Sequence, residues 1–398
     1  MSIHIKRRTF WIGLPVVIVL GLGVGLRALW LHDSGPRNQA MGEQIAPYED
    51  AYTAEIIEGA VELSLESRAS EVRADPGPKA PTIPANDPGF KPTTYLRDVH
   101  AKSHGCVLAN FTVKNGLDPR FAQGVFAQPK RYDAIVRFSG GQPGIHSDSE
   151  KDAQGMAIKL LNVPGKKLLP GDEDDPAQDF VLMNSPVFFI RTLPEYAAFS
   201  RALGANPSFP SAYFFPSAWR PSTWHLREMW LALGTKKPRP DSELTTRYWS
   251  ASAYYLGPTQ FVKYSAKPCE SNHPLPPADR NSPDYLRLEL ANEAKRGGAC
   301  FDFMVQPQVA GADMPVEDTT VRWDETVSPF VPVARIEIPA QDNNTATMND
   351  RCENLEFNPW HALPAHRPAG VMNRVRGALY AAMASYRRSK NGVTAPGR

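Results

Sequence analysis

Two short segments near opposite ends of the chain carry residue types from which chemistry can be built. One is Arg97-Asp-Val-His100-Ala101, and the other is Asn373-Arg374-Val375-Arg376-Gly377-Ala378-Leu379-Tyr380. Residues four apart share one face of a helix, so Arg376 can lie against the Tyr380 phenol and favour its phenolate, a good ligand for ferric iron. Together the two segments read as the two faces of a haem pocket.

Other chemistries lose their support. The chain has no GxGxxG, no P-loop and no HExxH, and its Gly-Gly pairs at 140–141 and 297–298 read as turns. Four cysteines, Cys106, Cys269, Cys300 and Cys352, are too few and too scattered for a zinc site, and no CxxC occurs. They leave two readings open, buried free thiols or one or two disulfides, with Cys269 and Cys300 the nearest pair in sequence. His104 follows His100 by four with no further metal-spaced ligand, which gives it a structural role. Asp152 either lines a channel or caps a turn. Forty-four Lys and Arg against 42 Asp and Glu leave a net charge of +2, so nothing global argues for nucleic acid as a partner.

The elements that must position these residues are mostly short. Runs at Cys106–Val113, Ala134–Ser139, Gly155–Leu161, Asp179–Met183, Tyr285–Leu290, Cys300–Gln306 and Val333–Ile338 have β character. Bounded by Gly, Pro and Asp, they predict a mainly antiparallel sheet or barrel. Leu193–Leu203, Pro221–Gly234 and Met372–Arg388 read as helices, the last with small residues that permit close packing.

Ahead of this region the chain is organised differently. Lys6-Arg7-Arg8 precedes Thr9–Leu26, 18 residues without a charge. At about 1.5 Å per residue such a helix nearly crosses a ~30 Å hydrocarbon core. Residues 1–32 therefore read as a cytoplasmic basic flank and a transmembrane signal anchor, with a cleaved signal peptide as the competitor; either exports the remainder. Residues 33–92 form a linker and an N-terminal arm, helical over Glu43–Ser70 and proline-rich over Asp75–Pro92. Residues 93–390 make the main domain, and 391–398 a tail.

Several ordered pieces then point one way. Arg97, Val99, His100, Ala101 and Lys102 are followed by Val136-Arg137-Phe138-Ser139, by Asp152 with Gly155, and by Asn184-Ser185-Pro186-Val187-Phe188-Phe189-Ile190-Arg191. This series resembles the haem catalase superfamily. Phe357-Asn358-Pro359-Trp360, His366-Arg367-Pro368 and Arg376–Tyr380 resemble its shorter, catalase-related peroxidase members, and the likeness covers about residues 90 to 390.

The resemblance implies an α+β fold, a catalase-like antiparallel β-barrel with surrounding helices and a C-terminal haem-ligating helix. It implies haem b as cofactor and Tyr380 as its metal ligand, with Arg376 neutralising the phenolate. Arg97, Arg137 and Arg387 would bind the haem propionates, and Val99, Phe188, Phe189 and Tyr196 would wall the pocket. His100 would be the distal acid–base group, oriented by Ser139. The family's distal amide aligns with Met183, so Asn184 is the candidate to replace it, which would need a shift of strand register. Gln154 stands where the family tends to carry Arg. The implied function is breakdown of hydrogen peroxide or organic hydroperoxides in the cell envelope. The alternatives are a fatty-acid hydroperoxide lyase or isomerase, whose relatives carry Thr where Val99 stands, and a haem-binding protein with weak turnover. The expected partners are the peroxide, the haem and the membrane, with room for a homo-oligomer.

Overall fold

A computed structural model of the chain describes residues 40–73, 95–207, 209–272 and 279–393. Its strands are β1 (Ser103–Val113), β2 (Arg131–Gly140), β3 (Gln154–Leu160), β4 (Gln178–Met183), β5 (Tyr248–Trp249), β6 (Tyr254–Leu256), β7 (Gln260–Pro268), β8 (Ala299–Pro307) and β9 (Val331–Ile338). They pair antiparallel in the order β5-β4-β3-β2-β1-β9-β8-β7-β6, and β5 also pairs with β7. That second pairing closes eight strands into a barrel and leaves β6 as an added hairpin arm. Closure leaves the barrel strands without a free edge.

Alternation along β2 shows how the sequence builds the barrel. Tyr132, Ala134, Val136 and Phe138 enter the central core, so Ile135, Arg137 and Ser139 must lie on the outer face. Phe180 anchors the interior, with its ring 4.8 Å from Phe303 and 5.1 Å from Tyr264. Both faces of β2 are nevertheless buried along most of its length, because other elements cover the outside of the barrel.

Those elements are helical: α1 (Glu49–Arg73), α2 (Leu193–Ala205), α3 (Ser211–Phe214), α4 (Leu226–Thr235), α5 (Tyr285–Arg296), α6 (Ala346–Asn354) and α7 (Val371–Asn391). Ile56 and Ala60 of α1, Leu193 and Ala197 of α2, and Met372, Val375, Leu379 and Met383 of α7 form a second apolar core. The start of α2 is fixed by a capping box between Thr192 and Glu195. Arg374 of α7 bonds Glu43, Glu49 and Glu317, which ties the N-terminal arm to the C-terminal helix.

The sheet and the helices at 193 and 372 match the sequence reading. Tyr285–Leu290 does not: it is the first half of α5, with Gly297 as C-cap. Pro221–Gly234 divides into a 3-10 turn at Pro221–Thr223 and then α4, and Glu43–Ser70 resolves into the single helix α1. The long strand β7 has no counterpart in that reading. All four cysteines are paired, as Cys106–Cys352 and Cys269–Cys300. The apolar run Thr9–Leu26 and the proline-rich 75–92 lie outside the described residues. Among the described residues no helix is long and apolar enough to cross a membrane.

Candidate functional site

A cavity lies between the outer face of β2–β4 and helix α7, and it is lined by both His100 and Tyr380. The two segments singled out by chemistry therefore meet across one space. Their supports differ in kind.

His100 is held by backbone. Its φ of 56° is in the left-handed region, which costs a non-glycine residue roughly 1–2 kcal/mol. Its N–H donates to the Gly141 carbonyl at 3.3 Å, and its own carbonyl accepts from Arg137 Nη2 at 2.9 Å. The ring Nδ1 lies 3.2 Å from Ser139 Oγ. Gly155 completes the seat, since a Cβ there would come within 2.7 Å of the imidazole and 3.0 Å of Ser139 Oγ. Burial first, and then the Arg137 charge, pushes the His100 pKa down to about 3, so the ring is neutral at physiological pH.

The neighbouring strand settles where the aligned amide position falls. Gly155 of β3 pairs with Met183 of β4, so Met183 shares the sheet face that carries Ser139 and His100. Asn184 is engaged elsewhere: its N–H donates to the Gln154 carbonyl, and its Oδ1 accepts from Gln154 N, both at 2.9 Å. No register shift brings Asn184 to His100, and it is not among the cavity-lining residues.

Tyr380 is held by packing of a helix. Tyr380, Met383, Ala384 and Arg387 form one stripe of α7 along the cavity, as helical spacing requires. Arg376 lies one turn before, its Nη1 donating to Ser252 Oγ at 3.0 Å and to Asn373 Oδ1 at 3.3 Å. Burial raises the Tyr380 pKa and Arg376 opposes that rise, but the net direction is upward. Arg376 alone therefore does not make the phenolate. The helix is set in place through Gly377, where a Cβ would come 2.8 Å from the Trp360 ring. Trp360 Nε1 donates to the Asn373 carbonyl at 2.7 Å, and Asn358 Nδ2 to the Gly377 carbonyl at 3.0 Å. Phe188, Phe189 and Tyr196 do not line the cavity; they pack in the second core with Tyr380, and Phe188 lies 5.9 Å below the Arg376 guanidinium.

One edge of the cavity is strongly cationic. Arg97, Arg137 and Arg387 line it together, and Val99 lies among them. Glu353 answers part of this charge, 2.7 Å from Arg97 and 3.8 Å from Arg387, and Glu356 pairs with Arg388. Arg137 is only 4% exposed, and its Nε has no hydrogen-bond partner among the described residues. Burial lowers the Arg387 pKa to about 9, with the Arg97 charge adding to the effect. Such an edge is matched by an anionic ligand, while Val181, Leu182, Leu355 and Met383 offer apolar walls. A flat apolar group with two carboxylates on one edge fits this donor set, and so does haem.

Sequence reasoning missed several participants. Asp98 is half-buried next to Arg97, and loss of hydration raises its carboxyl pKa to about 6. Gly155 appeared only as part of a motif, with no hint of the imidazole packed on it. Glu353, Leu355 and Glu356 carry no local signal at all. The other singled-out polar residues are structural. His104 sits between Glu243, at 2.5 Å, and Asp148, at 3.5 Å; against the effect of burial, these carboxylates raise its pKa to about 9. No metal-binding group of His, Cys, Asp and Glu occurs among the described residues. Asp152 accepts from the N–H groups of Gly141 at 2.8 Å, Gln142 at 3.3 Å and Ala153 at 2.7 Å, and so caps a turn.

Comparison with known proteins agrees with this fold. The chain matches the family described as Catalase over residues 94–396. It is 25% identical to a catalase of Drosophila melanogaster over 297 residues, 69% of this chain and 54% of that protein. Catalase-A of Dictyostelium discoideum is 25% identical over 298 residues, 69% of this chain and 56% of its own. Among solved structures, catalase A from Saccharomyces cerevisiae superposes with a TM-score of 0.56 at 18% identity, covering 75% of this chain and 61% of that one. A fungal catalase gives 0.55 at 18% identity, covering 75% and 60%. The chain thus spans about half the length of the curated relatives it matches.

Proposed function

This chain belongs to the catalase family, and on that premise we propose that it binds haem b between the barrel and α7 and breaks down hydrogen peroxide or an organic hydroperoxide. The observation that carries this reading is the placement of His100 and Tyr380 on opposite walls of one cavity whose edge holds Arg97, Arg137 and Arg387. Tyr380 would hold the iron, and the three arginines the propionates. Phe188, Phe189 and Tyr196 back the Tyr380 side. Bound there, haem supplies a ferric centre that polarises the peroxide O–O bond and accepts its oxidising equivalents.

The remaining work falls to the chain. His100 is neutral, and its Nδ1 is engaged by Ser139 Oγ, which leaves Nε2 to take a proton from the peroxide and return it to the leaving oxygen. Gly155 leaves room for the ring to lie in that position. Apolar walls limit water beside the reacting oxygens. Among the described residues no amide shares the His100 face, because Met183 occupies the place and Asn184 is committed to Gln154. Orientation of a second peroxide is therefore weakened, which favours oxidation of an organic donor over rapid oxygen release.

We place the body of the protein outside the cytoplasm, held by the N-terminal anchor. The pairing of all four cysteines in disulfides supports an oxidising compartment. Haem-loaded full-chain protein, assayed with hydrogen peroxide and an alkyl hydroperoxide, should oxidise a phenolic donor faster than it releases oxygen. His100→Ala should keep its haem and lose about 10²–10⁴-fold in rate. Absence of peroxide-dependent turnover at full haem loading would contradict the proposal.

A further inference from the structure

The cavity wall formed by Leu355–Phe357, beside the C-terminal half of α7, is held in an unusual way. Helix α6 spans nine residues, and Cys352 is the only one of them that is fully buried. Met348 and Leu355 pack partly against the cluster of Cys106, Ile135 and Cys352, so the helix brings little apolar surface of its own to the barrel. Its covalent tie is the Cys106–Cys352 disulfide, which joins positions 246 apart in sequence. Cys106 lies on β1 directly opposite Arg137 of β2, hence on the same sheet face. Arg137 in turn pairs with Ala157 of β3, which lines the cavity.

The residues immediately after Cys352 hold the arginine collar. Glu353 Oε1 pairs with Arg97 and Arg387, and the Glu353 carbonyl accepts from Arg97 Nη2 at 3.2 Å. The Leu355 carbonyl accepts from Arg97 Nη2 at 2.9 Å and from Arg387 Nη2 at 3.2 Å. Leu355, Glu356 and Phe357 then form the wall itself. The second disulfide makes a contrast. Cys269 and Cys300 join β7 to β8, strands already hydrogen-bonded at that point through Cys269 N and the Cys300 carbonyl at 3.0 Å, and neither residue lines the cavity.

We infer that the Cys106–Cys352 cross-link is a positioning device for the cofactor: it fixes Glu353–Phe357, and through them Arg97 and Arg387, so that retention of haem depends on it and not on Cys269–Cys300. The inference rests on the haem reading of the cavity. It concerns how the cofactor is kept, not the reaction it supports.

The test compares two full-chain double variants, Cys106→Ala with Cys352→Ala and Cys269→Ala with Cys300→Ala, by the rate at which each loaded protein loses haem to an excess haem scavenger. The first should lose haem roughly ten- to a hundred-fold faster than the parent, and the second within about twofold of it. Hydrogen exchange of the haem-free proteins should rise at residues 353–357 in the first variant while the strands of the barrel stay protected. Equal haem loss and equal exchange in the parent and the first variant would overturn the inference. Glu353→Ala keeps the cross-link and should also speed haem loss; an unchanged rate would break the proposed route even if the first variant failed to fold. Failure of the parent to bind haem would instead sink the reading on which the inference stands.

Discussion

The two sides of the cavity solve the same problem, holding one side chain still, by different means. On the barrel side His100 is fixed by main-chain bonds and by the absence of a side chain at Gly155. On the helix side Tyr380 rides on α7, whose height is set by Trp360 and Asn358 reaching in from elsewhere and by Asn373 of the helix reaching out to the Ala253 carbonyl. A strand ladder tolerates little local movement, whereas a packed helix can shift as a body. The proposed acid–base group thus depends on its immediate seat, and the proposed ligand depends on tertiary contacts.

Adding one methyl to each side tests this difference. Gly155→Ala should displace the imidazole and lower the peroxide reaction by about 10²-fold while haem remains bound, because a ~1 Å misplacement of a catalytic group costs that much. Gly377→Ala should act on the helix side, lifting α7 from Trp360, costing about 1–3 kcal/mol of stability and weakening haem retention. Reaction rates and haem-release rates on the two variants check both expectations. If Gly155→Ala lost haem and Gly377→Ala lost only rate, the assignment of roles would be reversed.

The smallest effect is one of pH. An exposed imidazole titrates near 6.5, but burial and Arg137 bring His100 down to about 3, so the reaction rate should show no loss as pH falls through 6.5. Stability behaves otherwise. Between pH 6.5 and 3 the unfolded chain binds protons that His100 and His366, also brought down to about 3 by burial, refuse in the folded state; stability should fall on acidification through that window. His104 has the opposite sign. Raised to about 9, its contribution is complete below 6.5 and is lost as pH rises through 9. Thermal unfolding of the haem-free protein against pH, with His104→Gln to remove the alkaline limb, measures both.

The residues proposed to do chemistry were more legible than the framework that holds them. Arg376 and Tyr380 stand four apart on one helix, which spacing alone shows, while Arg387 was legible only through the family resemblance, as were His100, Arg137 and Ser139 in their recognisable order. The run Tyr285–Leu290 misled because a short apolar segment has no decisive period; only its continuation to Arg296 and the Gly297 cap make it a helix. Asn184 looked able to replace a missing amide, but pairing of Gly155 with Met183 turns it away, and strand register is not visible in one strand's sequence. The Cys106–Cys352 tie and Glu353 were hidden for the same reason: they are defined by contacts between segments 246 and 256 residues apart.

The central claim, that this cavity holds haem through Tyr380, is most directly tested by the ultraviolet–visible spectrum of the purified haem-loaded protein beside that of Tyr380→Phe. The account predicts a ferric haem spectrum in the parent whose ligand-sensitive bands are lost or displaced in the variant, together with faster haem release. Identical spectra and identical release in the two proteins would contradict it.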